Sequence, residues 1–106
     1  MFGFLKKVDE KVINVNDIDS LIGKIDLIDI REDYEYRGGS IKSAKNIPMG
    51  KLLENPDKYM EKAKEYYIVC QSGSRSSRAC SMLRRQGFDV VNVSGGVGSY
   101  AGSKRK

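Results

Sequence analysis

The chain has 106 residues, 40% of them apolar and 31% charged, which describes one ordinary folded domain and excludes a disordered chain. Its 19 Lys and Arg against 14 Asp and Glu give a net charge of +5, but the basic residues are spread along the chain and mixed with acids, so neither nucleic acid nor a membrane is expected as a partner. There is no histidine, which removes Ser-His-Asp and Cys-His catalysis together with every His-containing zinc site, and two cysteines cannot close a four-ligand structural site within one chain.

Taken in order, Met1 to Leu5 is apolar but meets Lys6 and Lys7 at once, so it carries no signal-peptide core. Gly3 stands one place too late for myristoylation. No apolar run approaches the ~18 residues of a bilayer-spanning helix, and the expected address is the cytoplasm. Val12 to Val15 is expected as a first strand. Asn16 then stands where a helix N-cap belongs, with Asp17 and Asp19 at the positive helix end. Ile18, Leu21 and Ile22 form one apolar face and Gly23 a stop. Ile25 to Ile30 reads as a buried strand. Arg31 to Tyr36 predicts a helical turn, broken by Gly38-Gly39.

Ala44 to Ile47 predicts a short strand ended by Pro48. Leu52 and Leu53 belong to a short helix before Pro56, and Tyr59 to Lys64 to another. Tyr66 to Val69 is a run of strong β-formers leading directly into Cys70. Arg75 to Gln86 predicts a helix with Ala79, Met82 and Leu83 on its buried face, stopped by Gly87. Phe88 to Val93 is the last strand, followed by Ser94-Gly95-Gly96. Strands alternating with helices imply a single three-layer α/β domain, spanning 1–102, with a mainly parallel central sheet flanked by helices. Residues 103–106, with Lys104-Arg105-Lys106, are expected as a short solvated basic tail. Ligands of such sheets sit beyond the carboxyl ends of the strands, where Cys70 and Asp29 both fall.

The segment Cys70-Gln71-Ser72-Gly73-Ser74-Arg75-Ser76 carries the most chemistry. A strand delivers the cysteine, Gly73 lets the loop turn sharply, and a helix starts as the loop closes. Backbone N–H groups can then point inward around an anion, reinforced by the helix N-terminus. The anion is the Cys70 thiolate or a charge bound to it. A free thiol has a pKa of about 8.5, and a helix N-terminus with a nearby arginine lowers it, so no imidazole base is needed. Arg75 closes the loop and can pair with an anionic substrate or with the loop carbonyls; Arg78, one turn on, is expected to face solvent. Cys80, mid-helix beside Ala79 and Leu83, is expected to pack in the core.

This loop resembles the active-site loop of rhodanese domains, in which the sulfur-carrying cysteine begins a short stretch running through Ser-Gly to Arg-Ser. A second stretch is similar to the family's Asp-x-Arg, Glu-Tyr, Gly-His-Ile and Ala-x-Asn-Ile-Pro signatures: Asp29-Ile30-Arg31, Glu35-Tyr36, Gly39-Ser40-Ile41 and Ala44-Lys45-Asn46-Ile47-Pro48. Gly87-Phe88, Val91, Gly95-Gly96 and Tyr100 make a third. Ser40 replaces the usual histidine and Tyr100 the usual tryptophan, departures that concern packing more than the loop's chemistry.

The resemblance implies a sulfurtransferase in which Cys70 is the catalytic residue and Gln71 to Ser76 hold its persulfide. It needs no metal and no cofactor. The implied partners are a small anionic sulfur donor, thiosulfate or a persulfide, and an acceptor that is a thiol, cyanide or a protein. Gln71 is neutral where some members carry a basic residue, so a persulfide donor ranks beside doubly charged thiosulfate. Asp29 and Arg31 either orient something in the site or, with Glu35, form a hydrogen-bonded frame for the neighbouring turns. Two other readings stay open. One is a docking module on the same fold. The other is a cysteine phosphatase or arsenate reductase, whose nucleophile and arginine are separated by one residue more than the four found here (Gln71, Ser72, Gly73 and Ser74).

Overall fold

A computed structural model of the protein describes residues 10–106, and the stretch Met1 to Lys7 that was read for targeting signals lies outside them. The chain runs β1 (Lys11–Asn14), β2 (Asp26–Asp29), α1 (Asp33–Arg37), β3 (Lys45–Asn46), α2 (Met49–Glu54), β4 (Glu65–Val69), α3 (Ser74–Arg85) and β5 (Asp89–Ser94), with 3-10 turns at Val15–Asp17, Asp19–Leu21, Pro56–Lys58 and Val97–Ser99. The five strands form one sheet in the order β1-β5-β4-β2-β3, and every pairing is parallel. Among the described residues no helix is long and apolar enough to cross a membrane.

A parallel sheet must be covered on both faces, and the middle residues of its inner strands, Leu27-Ile28, Ile68-Val69 and Val90-Val91, are accordingly apolar and buried. Successive side chains of β2 and β4 alternate between two cores. On one face Ile28, Ile30, Ile68 and Val90 pack with Leu52 of α2 and with Ala79, Cys80 and Leu83 of α3. On the other, Leu27, Val69 and Val93 pack with Val15, Ile18, Ile41, Val97 and Tyr100. Cys70 belongs to the first face, beneath α3. The layered α/β architecture read from the sequence is thus present, with a sheet that is wholly parallel.

Four local expectations give way to tertiary contacts. The helix expected from Asn16 is two 3-10 turns, and the N-cap of the first is Asn14, whose side chain accepts from the Asn16 amide at 2.9 Å. The Asn16 side chain instead spans to the Ser99 carbonyl (3.0 Å) and the Ala101 amide (2.7 Å). Over Tyr59 to Lys64 there is no helix beyond the turn at Pro56–Lys58, because the Glu61 amide donates to the Tyr66 hydroxyl (2.8 Å) rather than to a helical carbonyl. Met82 is 44% exposed. The buried stripe of α3 is Ser76, Ala79, Cys80 and Leu83, a spacing of three and four residues that leaves Met82 on the flank.

The fourth concerns the tail, whose backbone is docked on the fold although Ser103, Arg105 and Lys106 stay exposed. The Lys42 amide donates to the Lys104 carbonyl at 2.6 Å, the Lys106 amide to the Ser40 carbonyl at 3.1 Å, and Arg105 forms an antiparallel bridge to Ile41. The Arg105 guanidinium donates to the carbonyls of Tyr100 (2.9 Å) and Val97 (3.3 Å) and lies over the Tyr100 ring. The chain past residue 102 is therefore continuous with the fold. Tyr100 is buried, its hydroxyl donating to Asp19 (2.5 Å) and accepting from the Lys104 amide (2.6 Å).

Candidate active site

The site starts where β4 ends. Tyr66, Ile68 and Val69 are buried in mid-sheet, and the next residue, Cys70, emerges at the carboxyl edge between β2 and β5. The chain must then reverse within a few residues to start α3. Gly73 makes that possible by adopting φ +101°, in the left-handed region that costs other residues energy. A Cβ there would also stand 3.2 Å from the Gly95 nitrogen, so bulk as well as torsion selects glycine.

The reversal wraps amides around the sulfur. Cys70 Sγ accepts from the Gly73 amide at 3.1 Å and from the Ser76 amide at 3.3 Å, and it contacts Ser76 Oγ at 3.4 Å. Both amides belong to the start of α3, whose unsatisfied N–H groups and aligned peptide dipoles favour negative charge. The Ser76 hydroxyl meanwhile donates to the Gly73 carbonyl at 3.1 Å. A hydroxyl has one proton, so with that bond in place Ser76 Oγ accepts from the thiol. Rotation lets it donate to a thiolate instead.

Burial alone pushes the Cys70 thiol up, since Cys70 is fully buried. The Ser76 hydroxyl, followed by the amides of Ser76, Gly73 and Ser72, outweighs it and leaves the pKa below the ordinary value. Cys80 lies on the same helix without such donors. Burial pushes its thiol up to about 12, and it packs in the core as expected.

The loop is held from behind by a second glycine turn. The Val97 amide donates to the Cys70 carbonyl (2.8 Å) and the Gly98 amide to the Gln71 carbonyl (2.9 Å). A Cβ on Gly96 would lie 2.3 Å from the Gln71 carbonyl oxygen and 2.6 Å from that of Cys70. Gly95-Gly96 carried the third stretch of family resemblance without a role; contact with the Cys70-Gln71 peptide supplies one. Its only signal in the sequence is the glycine spacing Gly95, Gly96, Gly98.

The remaining site residues separate into two ion pairs. Asp29, with no exposed surface, accepts from the Arg31 amide (3.0 Å), from Arg31 Nη2 (2.9 Å) and from the Ser40 hydroxyl (2.7 Å). Arg31 also donates to Gln71 Oε1 (2.9 Å) and the Gly39 carbonyl (2.7 Å), so the frame reaches the loop through Gln71. Ser40 thus fills the usual histidine position as a donor to Asp29.

Glu35 is not part of that frame. It grips Arg75 in two parallel bonds of 2.9 and 3.0 Å, which is where the Arg75 charge goes instead of to loop carbonyls. The Arg75 guanidinium holds the Glu35 carboxyl down to about 2, and Glu35 in turn raises Arg75. Gln71, Ser72 and Ser74 are exposed, Ser76 is buried, and Arg78 faces solvent. A surface recess of about 490 Å³ between α2 and the following turn, lined by Lys51, Glu54, Asn55, Lys58 and Tyr59, shares no residue with this loop.

Comparison with known proteins gives the family and the fold. YtwF of Bacillus subtilis, provisionally named a sulfurtransferase, is 43% identical over 79 residues, covering 74% of this chain and 76% of its own. A protein of Allochromatium vinosum named sulfurtransferase is 37% identical over 76 residues, covering 71% of this chain and 70% of its own. The crystal structure of a rhodanese-related protein from Thermoplasma volcanium superposes with a TM-score of 0.76 at 34% identity, covering 85% of this chain and 89% of that one. The family model of the rhodanese-like domain matches residues 14–103, and the chain belongs to that family.

Proposed function

We propose that the protein is a sulfurtransferase that carries sulfane sulfur as a persulfide on Cys70. The observation that carries this reading is the set of groups around Cys70 Sγ at the positive end of α3: two backbone amides that donate to it and a serine hydroxyl that can rotate to donate to the thiolate. These groups stabilise a sulfur anion without an imidazole. They serve the persulfide as well as the thiolate, because both carry one diffuse charge near the same place.

The exchange has two steps. The Cys70 thiolate attacks the outer sulfur of a donor, forming the new S–S bond while the donor's own bond to that sulfur breaks. Thiosulfate leaves as sulfite and a persulfide as its thiolate, each taking the bonding electron pair. An acceptor nucleophile then attacks the terminal sulfur of the Cys70 persulfide, and Cys70 departs as the thiolate it began as. Charge is conserved in both steps and no external oxidant or reductant enters.

Two alternatives fit less well. A phosphatase cradle requires a wider loop and a guanidinium free to take phosphate oxygens, whereas Arg75 is held by Glu35 on both Nη atoms. A docking module does not need a cysteine with this donor set. The test is intact-protein mass spectrometry after exposure to thiosulfate or a small persulfide. One added sulfur, released by cyanide and absent from Cys70→Ser, is the expected result. An unmodified protein, or an adduct that persists in Cys70→Ser, overturns the proposal.

A further inference from the structure

We infer that Glu35 sets the donor preference of the Cys70 loop: by engaging both arms of Arg75 it takes from the loop the guanidinium that a doubly charged donor would require, leaving a cradle matched to singly charged persulfides. This inference rests on the sulfurtransferase reading and narrows it to a substrate class.

Two guanidinium groups border the loop, and each is spoken for. Arg31 is fixed by Asp29 and spends its remaining contacts on Gln71 Oε1 and the Gly39 carbonyl. Arg75 is fixed by Glu35 in a bidentate pair, with about a third of its side chain exposed (32%) and Glu35 exposed by 21%. These two acids and two bases sum to zero charge. Gln71, the residue next to the sulfur, is neutral. What remains around Sγ is a set of amide and hydroxyl dipoles, enough for one diffuse negative charge. A dianion such as thiosulfate brings a second charge that these dipoles do not answer.

Arg75 directly precedes Ser76, whose amide and hydroxyl contact the sulfur, so a charge that neutralises Arg75 acts beside the turn that holds Cys70. Breaking the pair to serve a substrate is costly, because two parallel charge-assisted bonds are lost and Glu35 is left without a counter-charge. Glu35 is therefore a specificity-determining residue acting through Arg75. The outlying Arg78 is exposed one turn further along α3 and gives the approaching donor only a screened attraction.

The experiment compares the wild-type protein with Glu35→Gln, Arg75→Gln and the double variant. Glutamine at 35 can still accept from the Glu32 amide, the bond that closes the α1 capping box, so the helix is expected to survive. The first readout is kcat/KM for thiosulfate against that for 2-hydroxyethyl persulfide, with cyanide as acceptor. The second needs no turnover: the alkylation rate of Cys70 by anionic iodoacetate divided by that for neutral iodoacetamide, a ratio that cancels changes in thiol reactivity.

In Glu35→Gln both ratios rise by about three- to tenfold at low salt, the effect of one unit charge several ångströms away across a partly screened surface, and the gain shrinks as salt is added. In Arg75→Gln both ratios fall, and in the double variant they return to the wild-type values. Ratios that stay constant across the four proteins overturn the inference. So does a Glu35→Gln that slows both donors equally, which would mark Glu35 as a structural residue only. If the alkylation ratio shifts as described while neither donor transfers sulfur, the charge control stands as an anion filter and the sulfurtransferase reading fails.

Discussion

The carbonyl oxygen of Gln71 rests directly against the α-carbon of Gly96, so closely that a methyl group on Gly96 would stand 2.3 Å from it. Gly96 also holds φ +72°, a conformation that resists any side chain. Gly96→Ala therefore has to push the glycine turn away from the sulfur loop, breaking the bonds from Val97 and Gly98 to the Cys70 and Gln71 carbonyls. The expected cost is about 2–4 kcal/mol in chemical denaturation, together with faster alkylation of Cys70 as its covering loosens. Gly98→Ala is milder, because its nearest neighbour is the movable Gln71 side-chain nitrogen at 2.7 Å. Equal behaviour of the two variants would contradict this packing.

The two thiols should titrate in opposite directions from the ordinary range. Iodoacetamide labelling of Cys70 is expected to rise through a midpoint below that of a free thiol, and Ser76→Ala to move the midpoint upward, since the Ser76 hydroxyl is the largest of the influences that lower it. Cys80, held at about 12 by burial, labels only when the fold opens. Both shifts make stability depend on pH. The Cys70 contribution to stability is lost as pH falls through its folded value and grows as pH rises from there into the ordinary thiol range. The Cys80 contribution is full below the ordinary value of 9.0 and is lost as pH climbs toward about 12. Slow labelling of both cysteines at one common rate would show that the loop does not activate Cys70.

Removing the carboxylate of Asp29 should be far more damaging than removing an average surface charge. Asp29→Ala strands the buried Arg31 guanidinium and the Ser40 hydroxyl together, at an expected cost of about 3–5 kcal/mol. Ser40→Ala deletes a single donor and should cost about 1–2 kcal/mol. Urea unfolding of the two variants measures both. Similar small losses would mean that water replaces the carboxylate readily and that the frame is not closed.

The parts of the fold legible in the sequence were those with a local cause. Tyr66 to Val69 reads as a strand because its β-formers outnumber every alternative, and the run of polar residues after Cys70, with Gly73 among them, reads as a turn into a helix. Where polar side chains find partners far along the chain, local reading failed. Asn16 and Asp19 look like cap and first-turn residues but bond to Ser99, Ala101 and Tyr100, more than 80 residues away. The tail looks like a free basic end, yet its backbone pairs with Ser40 and Lys42. Arg75 was legible as a charge closing the loop, but Glu35 was read into the frame of Asp29 and Arg31 and not as the partner of Arg75, 40 residues away.

From the sequence alone came the strand, the cysteine, the glycine turn and the helix that follows, because each depends on backbone torsions and dipoles within a few consecutive residues. The absence of histidine likewise excluded an imidazole base and left the helix N-terminus and a nearby arginine as the groups expected to lower the thiol. Only the tertiary structure decided which carboxylate takes Arg75, what backs the Cys70-Gln71 peptide, and where the last residues go. Those outcomes follow from the sheet order β1-β5-β4-β2-β3, which brings the carboxyl ends of separate strands together over distances in sequence that no local preference spans.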